Sequence, residues 1–192
     1  MANRELLLEA TARLYAEHGW RGTTTKRIAE AAGINEVTVF RQFGSKAALL
    51  DAAIRHASAP TAVIRLPDVP SRLSEELTGW ALAHHQSIAA KSGIIRSCLA
   101  ESEERPALAS RACEGGMVAF GEGARYLRAA RSRGLIGRRG SIEAATMMLI
   151  NSIFMDAITR ELMPVDHVRP ADEVVSQYVE MVLAGLGATE KA

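Results

Sequence analysis

Apolar positions recur three or four residues apart along most of the chain, and glycine or proline interrupts each run. The first run extends from Asn3 to about His18 and is followed by Gly19, a residue suited to the end of a helix. Similar runs cover about 46–56, 71–91, 94–103, 106–133, 142–162 and 172–186. This spacing predicts an all-α protein.

The stretch Thr23–Leu50 predicts two short helices joined by a tight turn, followed by the start of another helix. Thr25 is expected to cap the first short helix and Gly33 to end it, because glycine adopts the left-handed C-terminal conformation at little cost. The second short helix is expected over Glu36–Phe43. Its inward residues are predicted to be Val37, Val39 and Phe40, and its outward residues Thr38, Arg41 and Gln42. This arrangement is the geometry of a helix-turn-helix.

The same stretch resembles the DNA-binding signature of TetR-family transcriptional regulators. The matching features are Gly22-Thr23-Thr24-Thr25, Ile28-Ala29, Ala32-Gly33-Ile34, Thr38-Val39-Phe40, Phe43, Ser45-Lys46 and Leu49-Leu50. The resemblance implies a three-helix DNA-binding head followed by a helical body that binds an effector and forms a homodimer. The chain departs from the usual signature at Phe40, where Tyr is usual, and at Gln42, where His is common.

Phosphate contacts are expected at the amino termini of two helices, where free amide groups and the helix dipole attract anions. Thr25 and Lys26 lie at the start of the first short helix. Ser45 is expected to cap the fourth helix, and the resemblance implies that Lys46 beside it reaches a phosphate. The alternative for Lys46 is an ordinary solvent-exposed lysine.

Base contacts are expected from the outward residues of the second short helix, namely Asn35, Glu36, Thr38 and Arg41. Arg41 is suited to a bidentate pair with guanine, and Glu36 to accepting a hydrogen bond from cytosine, unless it is merely a solvated acid. Gln42 suits either a phosphate or adenine. Phe40 either packs against the DNA sugars or fills the core.

Residues 58–70 contain three prolines and no helical period, which predicts a linker. We therefore expect a DNA-binding domain over 1–50 and an effector-binding and dimerisation domain over 51–192. The helix that begins at Lys46 is expected to connect the two domains.

The resemblance implies an effector cavity inside the body. Its candidate lining residues are Trp80, His84, Met117, Phe120, Tyr126, Met147 and Phe154, although each occupies a position equally suited to ordinary core. The scarcity of charge among them favours an apolar effector. The adjacent pair His84-His85 cannot close on one metal ion, because neighbouring helical residues point about 100° apart. The glycines at 115, 116, 121 and 123 predict a break, a kink or close packing.

The run over 142–162 is apolar almost all round and therefore needs cover on two sides. Two such helices in each subunit suit a four-helix bundle in a twofold dimer, as the resemblance implies. The expected interface residues are Met148, Ser152, Met155, Val175, Tyr178, Val179, Val182 and Leu186. A monomer with a thick core is the alternative.

Composition adds little, because the 192 residues carry a net charge of only +1. Cys98 and Cys113 lack metal-ligand spacing and are expected to be reduced thiols, with a redox switch as the alternative. The amino terminus lacks the apolar core of a signal peptide, and no run is expected to span a membrane. A cytoplasmic protein without a cofactor is the simplest expectation.

The function that these patterns favour is a homodimeric repressor of a palindromic DNA operator that a small effector releases. A transcriptional activator with the same fold is the first alternative. An all-helical enzyme is disfavoured, because the sequence shows no Ser-His-Asp, Cys-His or paired-carboxylate constellation. An architectural DNA-binding protein is disfavoured by the small net charge.

Overall fold

The structure, a computed structural model, describes residues 2–58 and 65–188. Within these ranges the chain forms the helices α1 (Ala2–Gly22), α2 (Thr25–Ala32), α3 (Glu36–Phe43), α4 (Lys46–Ser58), α5 (Leu73–Ala89), α6 (Ser92–Ala100), α7 (Pro106–Ser132), α8 (Ile142–Thr159) and α9 (Ala171–Gly185). Short 3₁₀ turns follow α8 at Arg160–Leu162 and Val165–His167. The described ranges contain no strand, which confirms the all-α prediction.

The helices form two compact units. Unit 1 comprises Met1–Pro60 and Lys91–Ala112, and unit 2 comprises Thr61–Ala90 and Cys113–Ala192. A division at residue 50 is therefore incorrect for these units, because α4 and α6 both pack on α1 in unit 1. Of the predicted linker 58–70, residues 59–64 lie outside the described ranges.

Unit 1 is built around α1. Leu7 and Leu8 of α1 pack with Ile28, Val39 and Leu49 in one buried cluster. Gly19 has a φ of 62° and a ψ of −168°, so it interrupts α1 with a kink where the sequence predicts the helix to end. Strain at this φ is small for glycine and large for other residues.

A second buried cluster of unit 1 contains Tyr15, Leu50, Ile54, Cys98 and Leu108. Burial raises the pKa of the Cys98 thiol, whereas a reactive cysteine needs a lowered pKa. Cys98 is a free, buried thiol, as expected for a reduced cysteine, and the side chain of Cys113 lies outside the described part of the chain.

In unit 2, α5 packs against α8 and α9. The glycine-rich α7 continues without a break from Pro106 to Ser132. At Gly123 a Cβ atom would lie 3.0 Å from Thr146 Cγ2 and 3.4 Å from Trp80 Cη2, so close packing explains this glycine. Gly115, Gly116 and Gly121 face open space, and nothing in the structure explains them.

The predicted interface residues of α9 prove to be core residues. Val175 and Val179 are fully buried in the core of unit 2, together with Val182 and Leu186. The prediction that these four residues face a second subunit is therefore wrong, because they already pack against their own subunit. Tyr178 is only partly buried and packs against the same core.

The exposed sides of α8 and α9 carry apolar side chains. Met148 of α8 is 65% exposed and Met181 of α9 is 72% exposed, and Met155 is also exposed. Ser152 is partly exposed, and its hydroxyl donates a hydrogen bond of 2.8 Å to the Met148 carbonyl oxygen. Of the predicted interface, the residues on α8 are therefore accessible.

The segment Ile142–Leu162 is long and apolar enough to span a membrane by length and composition alone, contrary to the expectation that no such run exists. Because 39% of its most apolar window is buried inside the protein, this observation is weak evidence for a membrane span. The core helix of a water-soluble protein has the same properties, and α8 packs as such a helix against α5 and α9.

Candidate nucleic-acid interface

The turn between α2 and α3 is held by backbone hydrogen bonds and one glycine. Gly33 has a φ of 66°, its N–H donates to the Glu30 carbonyl oxygen at 3.2 Å, and the N–H of Ile34 donates to Ala29 at 2.9 Å. Asn35 then caps α3, because its Oδ1 accepts a hydrogen bond of 2.9 Å from the Val37 N–H. These contacts fix α3 against α2, as a helix-turn-helix requires.

The cap of α2 is Thr24, one residue earlier than predicted. Its hydroxyl oxygen accepts a hydrogen bond of 3.2 Å from the Arg27 N–H. This leaves the Thr25 hydroxyl to donate to the Glu36 carboxylate at 2.7 Å. A predicted phosphate contact and a predicted base contact are thus bonded to each other across the two helices. Lys26, in the first turn of α2, is exposed.

The inner face of α3 differs from the predicted one. Val39 is buried, whereas Val37 is 73% exposed and Phe40 is 49% exposed. Glu36, Thr38, Val39 and Phe43 are buried or partly buried, and Glu36, Val39 and Phe43 among them follow the i, i+3, i+7 spacing of one helix face. The prediction that Val37 and Phe40 face inward is therefore wrong, because it assigned the adjacent face of this short helix to the core.

The outer face of α3 presents both polar and apolar groups. Arg41 and Gln42 are exposed as predicted, and Thr38 is partly exposed. Val37 was missed as a candidate contact, and the correct choice of helix stripe would have found it. Asn35 is also exposed, with its carbonyl oxygen engaged in the helix cap. An open groove of about 390 Å³ between α2 and α3 is lined by Lys26, Ala29, Glu30, Gly33, Ile34, Asn35 and Glu36.

Lys46 is not a free lysine. Ser45 caps α4 as predicted, accepting a hydrogen bond of 3.1 Å from the Ala48 N–H. The Lys46 ammonium, however, donates to the Trp20 carbonyl oxygen and lies 4.6 Å from the centre of the Trp20 ring. Burial, and secondly the charge of Arg105, lowers the pKa of Lys46. The interpretation of Lys46 as an ordinary solvent-exposed lysine is therefore wrong for this conformation, whereas its phosphate contact stays a prediction.

Of the candidate effector contacts in unit 2, two are fully buried and bonded to acids. Trp80 donates from Nε1 to Glu122 at 3.3 Å, and Tyr126 donates from its hydroxyl to Glu76 at 2.6 Å. Burial alone would raise the pKa of Glu76, but the hydrogen bonds from Tyr126, Ser71 and Arg72 outweigh burial and lower it to about 2.

The other candidates divide between the core and the surface. The His84 ring meets the Trp80 ring edge-on at 4.5 Å, and Phe120 packs on the same core. Phe154 is partly buried. Met117 and Met147 are exposed, so the prediction that they line an interior cavity is wrong for this conformation.

Next to this core lies a polar network that the sequence analysis missed. The buried His85 bonds through Nε2 to Asp156 at 2.7 Å, and Asp156 accepts from Arg160 at 2.7 Å. Burial lowers the pKa of the neighbouring His84, against a smaller opposing effect of Glu122. In the described part of unit 2, His84 Nε2 and His85 Nδ1 are buried without a hydrogen-bond partner.

Comparison with known proteins places the α1–α4 segment in a family. Residues 7–53 match the family described as "Bacterial regulatory proteins, tetR family". The HTH-type transcriptional regulator YvkB of Bacillus subtilis is 43% identical over 53 residues, which cover 27% of this chain and 28% of YvkB. The HTH-type transcriptional repressor AcnR of Corynebacterium efficiens is 39% identical over 57 residues, covering 30% of each protein. The matched region thus spans less than a third of the length of these relatives.

The fold extends the similarity to the whole chain. A TetR transcriptional regulator from Agrobacterium tumefaciens superposes with a TM-score of 0.79 at 22% identity, covering 100% of this chain and 96% of the other. Residues 7–53 are therefore a TetR-family helix-turn-helix segment. The sequence similarity supports this segment, and for the rest of the chain the similarity is one of fold.

Proposed function

We propose that this protein is a homodimeric transcriptional repressor of the TetR type that binds a palindromic operator and is released from it by a small molecule. The observation that carries the proposal is the exposed outer face of α3, which the buried Val39 and the capped turn at Gly33 hold on a rigid helix pair. A helix presented in this way fits the major groove of DNA.

Base reading is assigned to Arg41, Thr38 and Val37. The Arg41 guanidinium is suited to the two acceptors of guanine, and the Val37 methyl groups to the methyl group of thymine. Phe40 is suited to packing against sugars, and Lys26 and Gln42 to phosphate contacts. Glu36 instead fixes α2 to α3 through Thr25, and so orients the reading helix.

Dimer formation is assigned to the exposed apolar residues of α8 and α9, which include Met148, Met155 and Met181. Exposed apolar side chains concentrated on one face are typical of a protein interface. A second copy of the chain would cover these residues by twofold symmetry. The two DNA-binding heads would then read half-sites about 34–36 Å apart, one turn of DNA.

Effector binding is assigned to the part of unit 2 around Trp80, His84 and Phe120. This region is apolar and aromatic, and His84 Nε2 has no partner among the described residues. These properties suit a largely apolar small molecule with one hydrogen-bonding group. The effector would act by favouring a conformation that no longer fits the operator, within the limit set by its affinity difference between the two conformations.

Repression follows from steric exclusion of RNA polymerase at the operator, and AcnR, a relative in the α1–α4 segment, is known as a repressor. An activator of the same fold would make the same DNA contacts. Because a transcriptional repressor acts on chromosomal DNA, the proposed location is the cytoplasm.

The decisive experiment is selection of bound duplexes from random double-stranded DNA by the purified protein, at near-physiological salt. We expect an inverted repeat whose half-sites are separated by about one helical turn. Recovery of no motif by folded protein would contradict sequence-specific binding, and a single unrepeated half-site would contradict the dimer. Compounds that release the recovered operator would then identify the effector class.

A further inference from the structure

An open groove lies at the surface of unit 2, where the end of α7 meets the start of α8. Its volume is about 620 Å³, which is within the usual range of small-molecule sites. We call it the arginine groove, and its lining residues are Arg128, Arg131, Ser132, Arg138, Ile142 and Glu143. The single apolar residue in this set, Ile142, is buried. The groove therefore presents mainly polar and charged groups to the solvent.

The charge around the arginine groove is strongly positive. Residues 128–143 contain five arginines and one acidic residue, Glu143, which gives this stretch a net charge of +4 in a chain whose total is only +1. Arg138 is exposed, and the side chain of Arg128 is 56% exposed. Because a cleft lined by charge of one sign concentrates ligands of the opposite sign, this groove favours an anion.

Arg131 is fixed in place by the loop that joins α7 to α8. Its Nε donates to the Gly137 carbonyl oxygen at 3.0 Å, and its Nη2 donates to the carbonyl oxygens of Arg139 and Gly140 at 3.1 and 2.9 Å. The Gly137 N–H donates in turn to the Leu186 carbonyl oxygen at 2.8 Å, which ties the loop to the end of α9. The N–H groups on Nη1 of Arg131 have no hydrogen-bond partner within 2–58 and 65–188. A guanidinium held in this way loses little freedom when it binds an anion.

A carboxylate of the chain itself already binds one arginine of the groove. Glu143 accepts a hydrogen bond of 2.8 Å from Arg128 Nη2, and this bond is the main cause that lowers the Glu143 pKa. Both side chains are 56% exposed, and an exposed pair of this kind contributes little to stability. An anion with two or more negative charges can therefore replace Glu143 on Arg128 at small cost.

We propose that the arginine groove binds a small ligand through a pyrophosphate group, with Arg128, Arg131 and Arg138 as its contacts. The N–H groups of a guanidinium match pairs of phosphate oxygens. Three arginines and one carboxylate give the lining residues a net charge of +2, which favours a multiply charged anion over a single carboxylate. The groove shares no residue with the effector region proposed around Trp80, and its role does not depend on DNA binding.

The first test is isothermal titration calorimetry of the full-length protein with inorganic pyrophosphate and with orthophosphate, at near-physiological salt. We expect one pyrophosphate for each chain, bound at least about tenfold more tightly than orthophosphate, because the longer anion reaches more than one arginine. Equal affinities, or binding of pyrophosphate only at low salt, would reduce the groove to a non-specific charged surface and overturn the proposal.

The second test uses arginine variants. Arg128→Gln and Arg138→Gln should each weaken pyrophosphate binding by about tenfold, the size of one lost hydrogen bond to a charged group. The matched control is Arg125→Gln, one turn earlier on α7, whose guanidinium donates to Asp68 at 2.7 Å. It should change the affinity by less than about threefold. Equal losses in all three variants would show a general charge effect and contradict a site.

The third test has the opposite sign, so a failure to fold cannot imitate its expected result. Glu143→Gln should strengthen pyrophosphate binding by about two- to fivefold, because Arg128 is then released. Glu173→Gln removes an equally exposed carboxylate that pairs with Arg169 on α9, and should leave the affinity unchanged. Weaker or unchanged binding in folded Glu143→Gln would contradict the exchange on Arg128.

The source of the pyrophosphate group is decided by titrating ADP and adenosine. Tighter binding of ADP than of pyrophosphate, with no binding of adenosine, would support a nucleotide ligand, and the reverse order would support free pyrophosphate. A random duplex of about 24 base pairs that displaces pyrophosphate would assign these arginines to DNA and overturn the proposal. Because the titrations contain no operator, their failure leaves the proposed DNA-binding function intact, and a failed DNA selection leaves the groove intact.

Discussion

In the helix-turn-helix segment of unit 1, α2 and α3 are only eight residues long, and α2, α3 and α4 are each capped by a side chain two or three residues away, at Thr24, Asn35 and Ser45. In unit 2 the helices are at least 15 residues long, and polar contacts between helices join residues far apart in the chain. Trp80 bonds Glu122, 42 residues away, and His85 bonds Asp156, 71 residues away.

This difference explains where the sequence similarity to other proteins lies. The match to the TetR family covers residues 7–53, where local caps and turns tie particular residue types to particular positions. The whole chain keeps its fold at 22% identity to the Agrobacterium tumefaciens protein, because a helical core tolerates many apolar combinations of similar volume. From this comparison we expect substitutions in the core of unit 2 to change mainly the stability of the fold. Substitutions on the exposed face of α3 should change mainly the proposed binding of DNA.

The largest expected effect is in the core of unit 2. Trp80→Ala should reduce the free energy of unfolding by about 3–5 kcal/mol, because the ring is fully buried and its removal leaves a cavity. Met117→Ala, at an exposed site of the same unit, should change it by less than about 0.5 kcal/mol. Urea unfolding followed by circular dichroism measures both. Equal stability of the two variants would contradict the placement of Trp80 in the core.

The next effect concerns the surface of unit 2. Met148→Glu should weaken the proposed dimer by at least about 2 kcal/mol, because the charge would be buried once in each subunit of a twofold interface. Met117→Glu, also exposed, is the matched control and should leave association unchanged. Sedimentation velocity distinguishes them, and a dimer that survives Met148→Glu would place the interface elsewhere.

On α3 the expected effect is on binding and not on folding. Arg41→Ala should weaken binding to the selected operator by about 1–3 kcal/mol and relax the base preference at one position of each half-site. Arg13→Ala removes the same exposed charge from α1 and should leave the base preference intact. Repeating the DNA selection with both variants measures this, and an unaltered motif with Arg41→Ala would refute base reading by Arg41.

The smallest expected effect is the pH dependence contributed by Glu76. Its pKa is lowered from 4.5 to about 2, so its stabilising contribution is present above pH 4.5 and is lost as the pH falls toward 2. Glu76→Gln should therefore be less stable than wild type at pH 6, by about 1 kcal/mol after solvent screening, and nearly equal at pH 2.

The control for this effect is Glu75→Gln, which removes a neighbouring carboxylate that pairs with Arg72 at the surface. Because both side chains of this pair are exposed, its stability difference from wild type should stay below about 0.5 kcal/mol between pH 6 and pH 2. Unfolding free energies measured across this range test both variants. A constant difference for Glu76→Gln would show that Tyr126 does not hold the Glu76 carboxylate.

Sequence reasoning predicted the helix-turn-helix, the left-handed Gly33, the Ser45 cap and the exposure of Arg41, because each depends on residues within one or two helical turns. It placed the α2 cap one residue late, since Thr24 and Thr25 have the same capping chemistry and only the backbone path distinguishes them. It also assigned the wrong face of α3 to the core, because a helix of eight residues has too few turns for the spacing of apolar residues to define its buried face.

Only the tertiary structure decided the partners of Lys46, the covered face of α9 and the pairing of His85 with Asp156. The spacing of Val175, Val179 and Val182 shows that one side of α9 is apolar. An apolar side is equally compatible with burial in the core of the same subunit and with burial against a second subunit. Lys46 donates a hydrogen bond to the Trp20 carbonyl oxygen, 26 residues away in the chain, and is attracted by the charge of Glu101. The spacing of apolar residues indicates which side of a helix is buried. Which residues cover that side depends on contacts between parts of the chain that are far apart in sequence.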